Sequence, residues 1–328
     1  MRVFGKWLGR LLLVLVLVAA GMWAFGPYEP VDLEVSVDEA KIGGAAGLEA
    51  FFEGEEAGIG DLRPGTEKRV IWAGAAGAKT PVAVLYVHGF SSSPEELRPV
   101  PDRVAQALGA NLVFTRLTGH GRPGEALAEA TAQDWIRDTV EALAAARAVG
   151  EEVIVITTST GGTLMAEAAL HPDWVQGVKG IVFVSPNFGI NDKLSFILTW
   201  PGARWFVPLL AGAEREWQPE NEAHAKFWTT RYPTVAVLPL AALVKHAAAQ
   251  DYSKATVPAL FYFSEGDTVV RPEETKRIAA AWGGPAKVVL LPPDAEVVAT
   301  RHVIAGDIRS PRNTEPTVQL ILDWAKGL

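Results

Sequence analysis

Val153-Ile154-Val155-Ile156-Thr157-Thr158-Ser159-Thr160-Gly161-Gly162 opens with four β-branched aliphatic residues and closes with small ones. The run reads as a buried strand, Val153–Thr157, turning tightly into a helix over Gly162–Leu170. A nucleophile on such a turn needs small neighbours two residues to either side, because the turn is strained and backbones approach closely there. Gly161 meets the requirement on one side. On the other, Thr157 stands where glycine is usual, so the match to G-x-S-x-G is imperfect. Ser159 at the head of the helix would also meet the positive end of its dipole. An inert N-cap serine fits the same pattern, so this motif alone leaves both readings open.

Working outward, apolar strands are expected over Lys68–Ala73, Pro81–Val87, Asn111–Thr115, Gly180–Val184, Ala259–Phe263 and Lys287–Leu291. Helices are expected over Pro94–Leu108, Ala132–Val149, Glu273–Trp282 and Glu315–Lys326. Continuous apolar strands separated by helices imply an α/β fold, with a mostly parallel, doubly wound sheet covered on both faces. The alternation stops over about 186–254, where Trp200, Trp205, Trp217 and Trp228 occur among several prolines. This block reads as a helical cap inserted in the sheet. Its aromatics would wall a pocket, form the cap's own small core, or both.

Residues 1–26 differ from the rest. Arg2, Lys6 and Arg10 flank the apolar run Leu11–Ala20, and Trp7–Phe25 is 19 residues, enough for a helix of about 28 Å. Ala24-Phe25-Gly26 before Pro27 is a poor cleavage site, so an uncleaved signal-anchor, a transmembrane helix, is favoured over a secreted form or a buried N-terminal helix. The basic N-terminus would stay cytoplasmic, placing the remainder outside the cytoplasm on the inner membrane. Residues 27–66 read as a tether with a short docking helix, and 67–328 as the catalytic domain.

With 38 acidic against 30 basic residues, a net charge of -8 and no basic run beyond the N-terminus, nucleic acid is not an expected partner. The absence of cysteine excludes disulfides and thiolate chemistry. No histidine and carboxylate cluster has metal-ligand spacing, so neither metal nor other cofactor is expected.

His88-Gly89-Phe90 ends the first long strand. The backbone N–H groups of Phe90 and Thr160 would converge there as an oxyanion hole, with His88 bracing the loop. With Leu117-Thr118-Gly119-His120-Gly121 and the turn at Ser159, the chain resembles the α/β-hydrolase branch containing monoacylglycerol lipases, lysophospholipase-like enzymes and bacterial carboxylesterases. The resemblance covers approximately Lys68–Leu328. It implies Asp267, in Ser264-Glu265-Gly266-Asp267-Thr268, as the acid, and His302, in Thr300-Arg301-His302-Val303, as the base. The order Ser, Asp, His agrees with that fold.

Glu265 and Asp307 are the rival carboxylates: the first is too close to its strand end, and the second is expected to brace the histidine loop. Of the other histidines, His120 is expected to support its loop, His171 to end a helix, and His224 and His246 to lie on the cap surface. Ser91, Ser92 and Ser93 suit a turn, and Ser185 a strand end or pocket lining. The resemblance implies hydrolysis of a small-molecule acyl ester through an acyl-enzyme, with a hydrophobic or monoacylglycerol-like substrate. Two alternatives stand beside it. One is amide or thioester hydrolysis, with Glu214, Glu216, Glu220 and Glu222 as a subsite for a charged terminus. The other is a silent, membrane-tethered binding protein, which only Thr157 favours.

Overall fold

A computed structural model describes residues 2–328. Helix α1 (Arg2–Phe25) comes first, then α2 (Gly44–Glu56), β1 (Arg69–Ile71), β2 (Thr80–Val87), α3 (Val100–Leu108) and β3 (Asn111–Phe114). Next are α4 (Gly124–Glu129), α5 (Ala132–Val149), β4 (Gly150–Thr158), α6 (Thr160–Ala168) and β5 (Val178–Val184). The cap holds α7 (Ala203–Ala211), β6 (Glu214–Glu216), α8 (Glu222–Phe227), β7 (Arg231–Pro233) and α9 (Val237–Ala248). The chain closes with β8 (Ala259–Phe263), α10 (Pro272–Ala281), β9 (Ala286–Leu290) and α11 (Thr314–Ala325).

The main sheet has the order β1-β3-β2-β4-β5-β8-β9, with β1 antiparallel to β3 and the remaining pairs parallel. Side chains alternate between its faces, as the period of two requires. Leu85, Val87, Val155 and Phe183 join one core with α2, α5, α6 and α10. Their neighbours Val84, Tyr86, Ile156 and Val182 join the other, with α3 and α11. Each fully buried aliphatic or aromatic side chain contributes about 1.5–3 kcal/mol, so these strands must be apolar on both faces.

Helix α5 spans its expected residues, started by a capping box in which the Thr131 hydroxyl accepts from Asp134 N–H and the Asp134 carboxylate accepts from Thr131 N–H. Helix α3 begins six residues later than expected, at Val100, because Pro99 and Pro101 restrict the residues before them and lack donors. The six-residue α4 is too short for its periodicity to be read from sequence.

Before β1, Val31, Leu33, Val35 and Val37 pack on the core at alternate positions, and α2 docks through Leu48 and Phe52. Segment Lys6–Phe25 of α1 has a mean hydropathy of 2.2 and no fully buried residue. It is long and apolar enough to cross a membrane.

Candidate active site

Strand β4 delivers Ser159 at φ 51°, ψ -116°, a strained backbone for a residue with a side chain. Four hydrogen bonds hold it there. Ser159 N–H donates to Val184 C=O at 3.1 Å, while Ser159 C=O accepts from Gly162 N–H (2.9 Å), Thr163 N–H (3.3 Å) and Asn187 N–H (3.0 Å). A Cβ on Gly161 would lie 2.2 Å from Val87 O and 2.8 Å from His88 O, so only glycine fits. Thr157 is tolerated on the other side because its hydroxyl donates to Val182 C=O at 2.9 Å.

Asp267 follows β8. Its Oδ1 accepts from Val269 N–H (2.8 Å) and Val270 N–H (3.0 Å), which turns Oδ2 toward His302 Nδ1 at 2.7 Å. His302 Nε2 then lies 3.0 Å from Ser159 Oγ. Because a carboxylate faces Nδ1, that nitrogen carries the proton and Nε2 presents its lone pair to the hydroxyl. All three side chains are buried. The histidine loop is fixed by Ser310 Oγ donating to Val303 C=O (2.6 Å) and Asn313 Nδ2 donating to Ile304 C=O (2.7 Å).

Phe90 and Thr160 both line the cavity above Ser159, and among the described residues no protein acceptor takes their N–H groups. The loop carrying Phe90 rests on Glu96, whose buried carboxylate accepts from Gly89 N–H at 2.7 Å and from Tyr86 OH at 3.2 Å. Burial pushes this carboxyl above its usual range, and the donated bonds oppose that. Sequence reasoning missed Glu96, because Pro94-Glu95-Glu96 looks like an ordinary polar turn.

The rival groups are engaged elsewhere. Glu265 is exposed and paired with Lys276. Asp307 accepts from Thr314 Oγ1 at 3.0 Å and donates its N–H to Arg98 C=O at 2.9 Å, bracing the loop as expected. His88 donates from Nδ1 to Gly89 C=O and accepts Leu117 N–H at Nε2. Ser91 sits in the turn, its C=O accepting from Thr229 N–H. Ser185 is buried at the end of β5.

His171 stacks on Trp174, with ring centroids 4.0 Å apart. Two expectations need correction. His224 is buried, wedged between Trp217 and Trp228 and facing Arg309 Nη1 at 3.0 Å. His246 is half-buried, 3.4 Å from the carboxylate of Glu167. Neither helix face showed in the sequence, since α8 is one short turn and α9 is apolar nearly all round.

The cap encloses a cavity of about 730 Å³ over Ser159 and His302, walled by Leu194, Ile197, Leu198, Val207, Leu210 and Leu240. Its tryptophans divide: Trp228 is buried and, with Trp217, lines the cavity, whereas Trp200 and Trp205 are exposed. Among the described residues no three His, Asp or Glu side chains are grouped to hold a metal ion.

Behind the site, His120 is buried against Phe90 and Trp135 and donates from Nδ1 to Thr118 C=O. Burial lowers its pKa from 6.5 to about 4. Between these values the unfolded chain binds the proton and the folded one does not, so stability falls as pH drops through that window, by about 3 kcal/mol in total. His120→Asn keeps a donor for Thr118 and removes the titration. Urea unfolding at a series of pH values is expected to show a shallower loss below pH 6.5 in the variant. Parallel curves would assign the loss to other groups.

The model of the alpha/beta hydrolase family matches residues 84–305. A thermostable monoacylglycerol lipase from a Bacillus species is 28% identical over 193 residues, covering 58% of this chain and 73% of the relative. A solved metagenome-derived lipolytic enzyme superposes with a TM-score of 0.64 at 22% identity, over 81% of this chain and all of the other. The monoacylglycerol lipase of Paleococcus ferrophilus gives 0.58 at 14%, over 78% and 96%. The sheet order, the strained serine turn and a family match from β2 to the histidine loop agree: the chain belongs to the α/β-hydrolase family.

Proposed function

We propose that the protein is a serine hydrolase that cleaves carboxylic esters through an acyl-enzyme, and that its substrates carry hydrophobic acyl groups, as monoacylglycerols do. The observation that carries this is the chain of contacts from Asp267 through His302 to Ser159 at the floor of a cavity walled mostly by apolar side chains. His302 Nε2 takes the Ser159 proton as Oγ attacks the ester carbonyl. The Phe90 and Thr160 N–H groups hold the oxyanion, and Asp267 stabilises the imidazolium. The proton then passes to the leaving alcohol, and water repeats the sequence on the acyl-enzyme. No cofactor enters any step.

Helix α1 is proposed as an uncleaved anchor, with the catalytic part outside the cytoplasm. Its basic residues lie at the N-terminal end, and Gly26 and Pro27, where a cleavage would fall, are packed on the cap. The amide alternative has less support: of the acidic residues it would use, Glu214 is paired with Arg231 and Glu220 with Arg309, and Glu216 and Glu222 are exposed and do not line the cavity.

The test is a rate profile over acetyl to long-chain esters, thioesters and amides with the full chain in detergent. With each buried methylene worth about 0.8 kcal/mol, kcat/KM is expected to rise at least about tenfold from acetyl to medium-chain esters and to be lowest for amides. A preference for acetyl esters or amides would reject the substrate assignment.

A further inference from the structure

Single exposed apolar side chains are ordinary, but a contiguous group of them is not. One such group covers the cap beside the end of α1. Leu209 is 84% exposed, and Phe196, Trp200, Trp205 and Leu210 are also exposed. The group continues onto α1 itself. Trp23 meets the Trp200 ring at 6.1 Å between centroids, Trp200 meets Phe196 at 5.7 Å, and Met22 and Trp205 both lie against Gly202.

The link between α1 and the cap is built rather than loose. Pro27 C=O accepts from Gly202 N–H at 2.9 Å. Arg204 donates to both carboxylate oxygens of Glu29, Nε at 2.8 Å and Nη2 at 2.5 Å, and the Glu29 side chain is only 5% exposed. A two-pronged pair on a buried carboxylate fixes orientation as well as distance. A flexible tether would need neither contact.

If α1 spans a membrane, Trp23 and Tyr28 fall at the headgroup level, where such side chains are favoured. The cap face joined to them is then held at the same depth. At its inner edge, Leu194 and Leu210 are both exposed and part of the cavity wall over Ser159.

We propose that the segment Trp23–Glu29 clasps the cap and holds its apolar face in the bilayer interface, so that the cavity mouth opens onto the membrane and takes an amphiphilic acyl ester from it. This rests on the reading of α1 as an anchor and of the cavity as an ester site.

Because the chain has no cysteine, one introduced thiol can be labelled cleanly. Leu209→Cys carrying an environment-sensitive nitrobenzoxadiazole dye is reconstituted as the full chain in phosphatidylcholine vesicles, with Glu151→Cys, at the far end of β4, as control. Doxyl-labelled phosphatidylcholine is expected to quench the dye at position 209 and leave that at 151 unchanged. Arg204→Glu should weaken the quenching, and adding Glu29→Arg should restore it.

In the same vesicles, Leu209→Asp is expected to slow cleavage of an embedded long-chain monoacyl ester by about tenfold and to leave a water-soluble short ester within about twofold. An unquenched dye at 209 in protein that resists alkaline carbonate would overturn the clasp while leaving the anchor standing. Extraction by carbonate would overturn both. If no ester is cleaved by any variant, substrate entry falls with the proposed function, whereas the quenching still decides the membrane contact.

Discussion

Ser159→Ala is expected to lower ester turnover by about ten-thousandfold or more while the fold stays intact. The size follows from what the hydroxyl is asked to do. It is the atom that reaches His302 Nε2, at 3.0 Å, from a strained turn. Its loss leaves the oxyanion donors and the cavity in place, so a small residual rate over water remains.

The stability effect is expected to be small for a separate reason. The unusual backbone at 159 is held by main-chain bonds to Val184, Gly162, Thr163 and Asn187, none of which involves the side chain. Steady-state rates on a short p-nitrophenyl ester, fluorophosphonate labelling and the thermal midpoint together check the expectation. Full activity with labelling retained would place the nucleophile elsewhere, with Ser91 and Ser185 the first candidates, both held at positive φ near the site. Loss of labelling with an unchanged midpoint would also remove the silent-binding alternative that Thr157 raised.

How much of this was legible in the sequence depends on how local each signal is. Strand β8 and helix α5 occupy their expected residues because periodicity and caps are written within one element. The Ser159 turn was legible because the steric demand of its neighbours selects Gly161 by residue type. Glu96 was not, since its role comes from folding back on Gly89 and Tyr86, and nothing in a Pro-Glu-Glu run announces that. His224 escaped for the same reason: its partners Trp217, Trp228 and Arg309 are brought together only by the cap. The contact of Glu29 with Arg204 spans the chain and has no local signature.

Asp267→Asn is the second large effect expected, and its cause is tautomeric. Oδ1 of the native carboxylate accepts two main-chain N–H groups, from Val269 and Val270, and Oδ2 accepts the His302 Nδ1 proton. Asparagine has one oxygen and one NH₂ to place in these two positions. Turning NH₂ toward two N–H donors would leave both unsatisfied, so the oxygen stays there and NH₂ faces His302. Nδ1 must then become the acceptor, and the ring proton moves to Nε2, where it points at Ser159 and can no longer receive the hydroxyl proton. A fall in kcat of about ten-thousandfold is expected, with KM little changed, because the change touches the reacting proton and not the acyl cavity. The midpoint should move by less than about 2 kcal/mol in equivalent stability, since shape and the two main-chain bonds survive. An unchanged rate would transfer the acid's role to Glu265 or Asp307. The structure gives neither a route to it: Glu265 faces Lys276 at the surface, and Asp307 is spent on Thr314. The joint result, lost turnover with a standing fold and an unmoved KM, separates a residue that sets a histidine's tautomer from one that merely supports a loop.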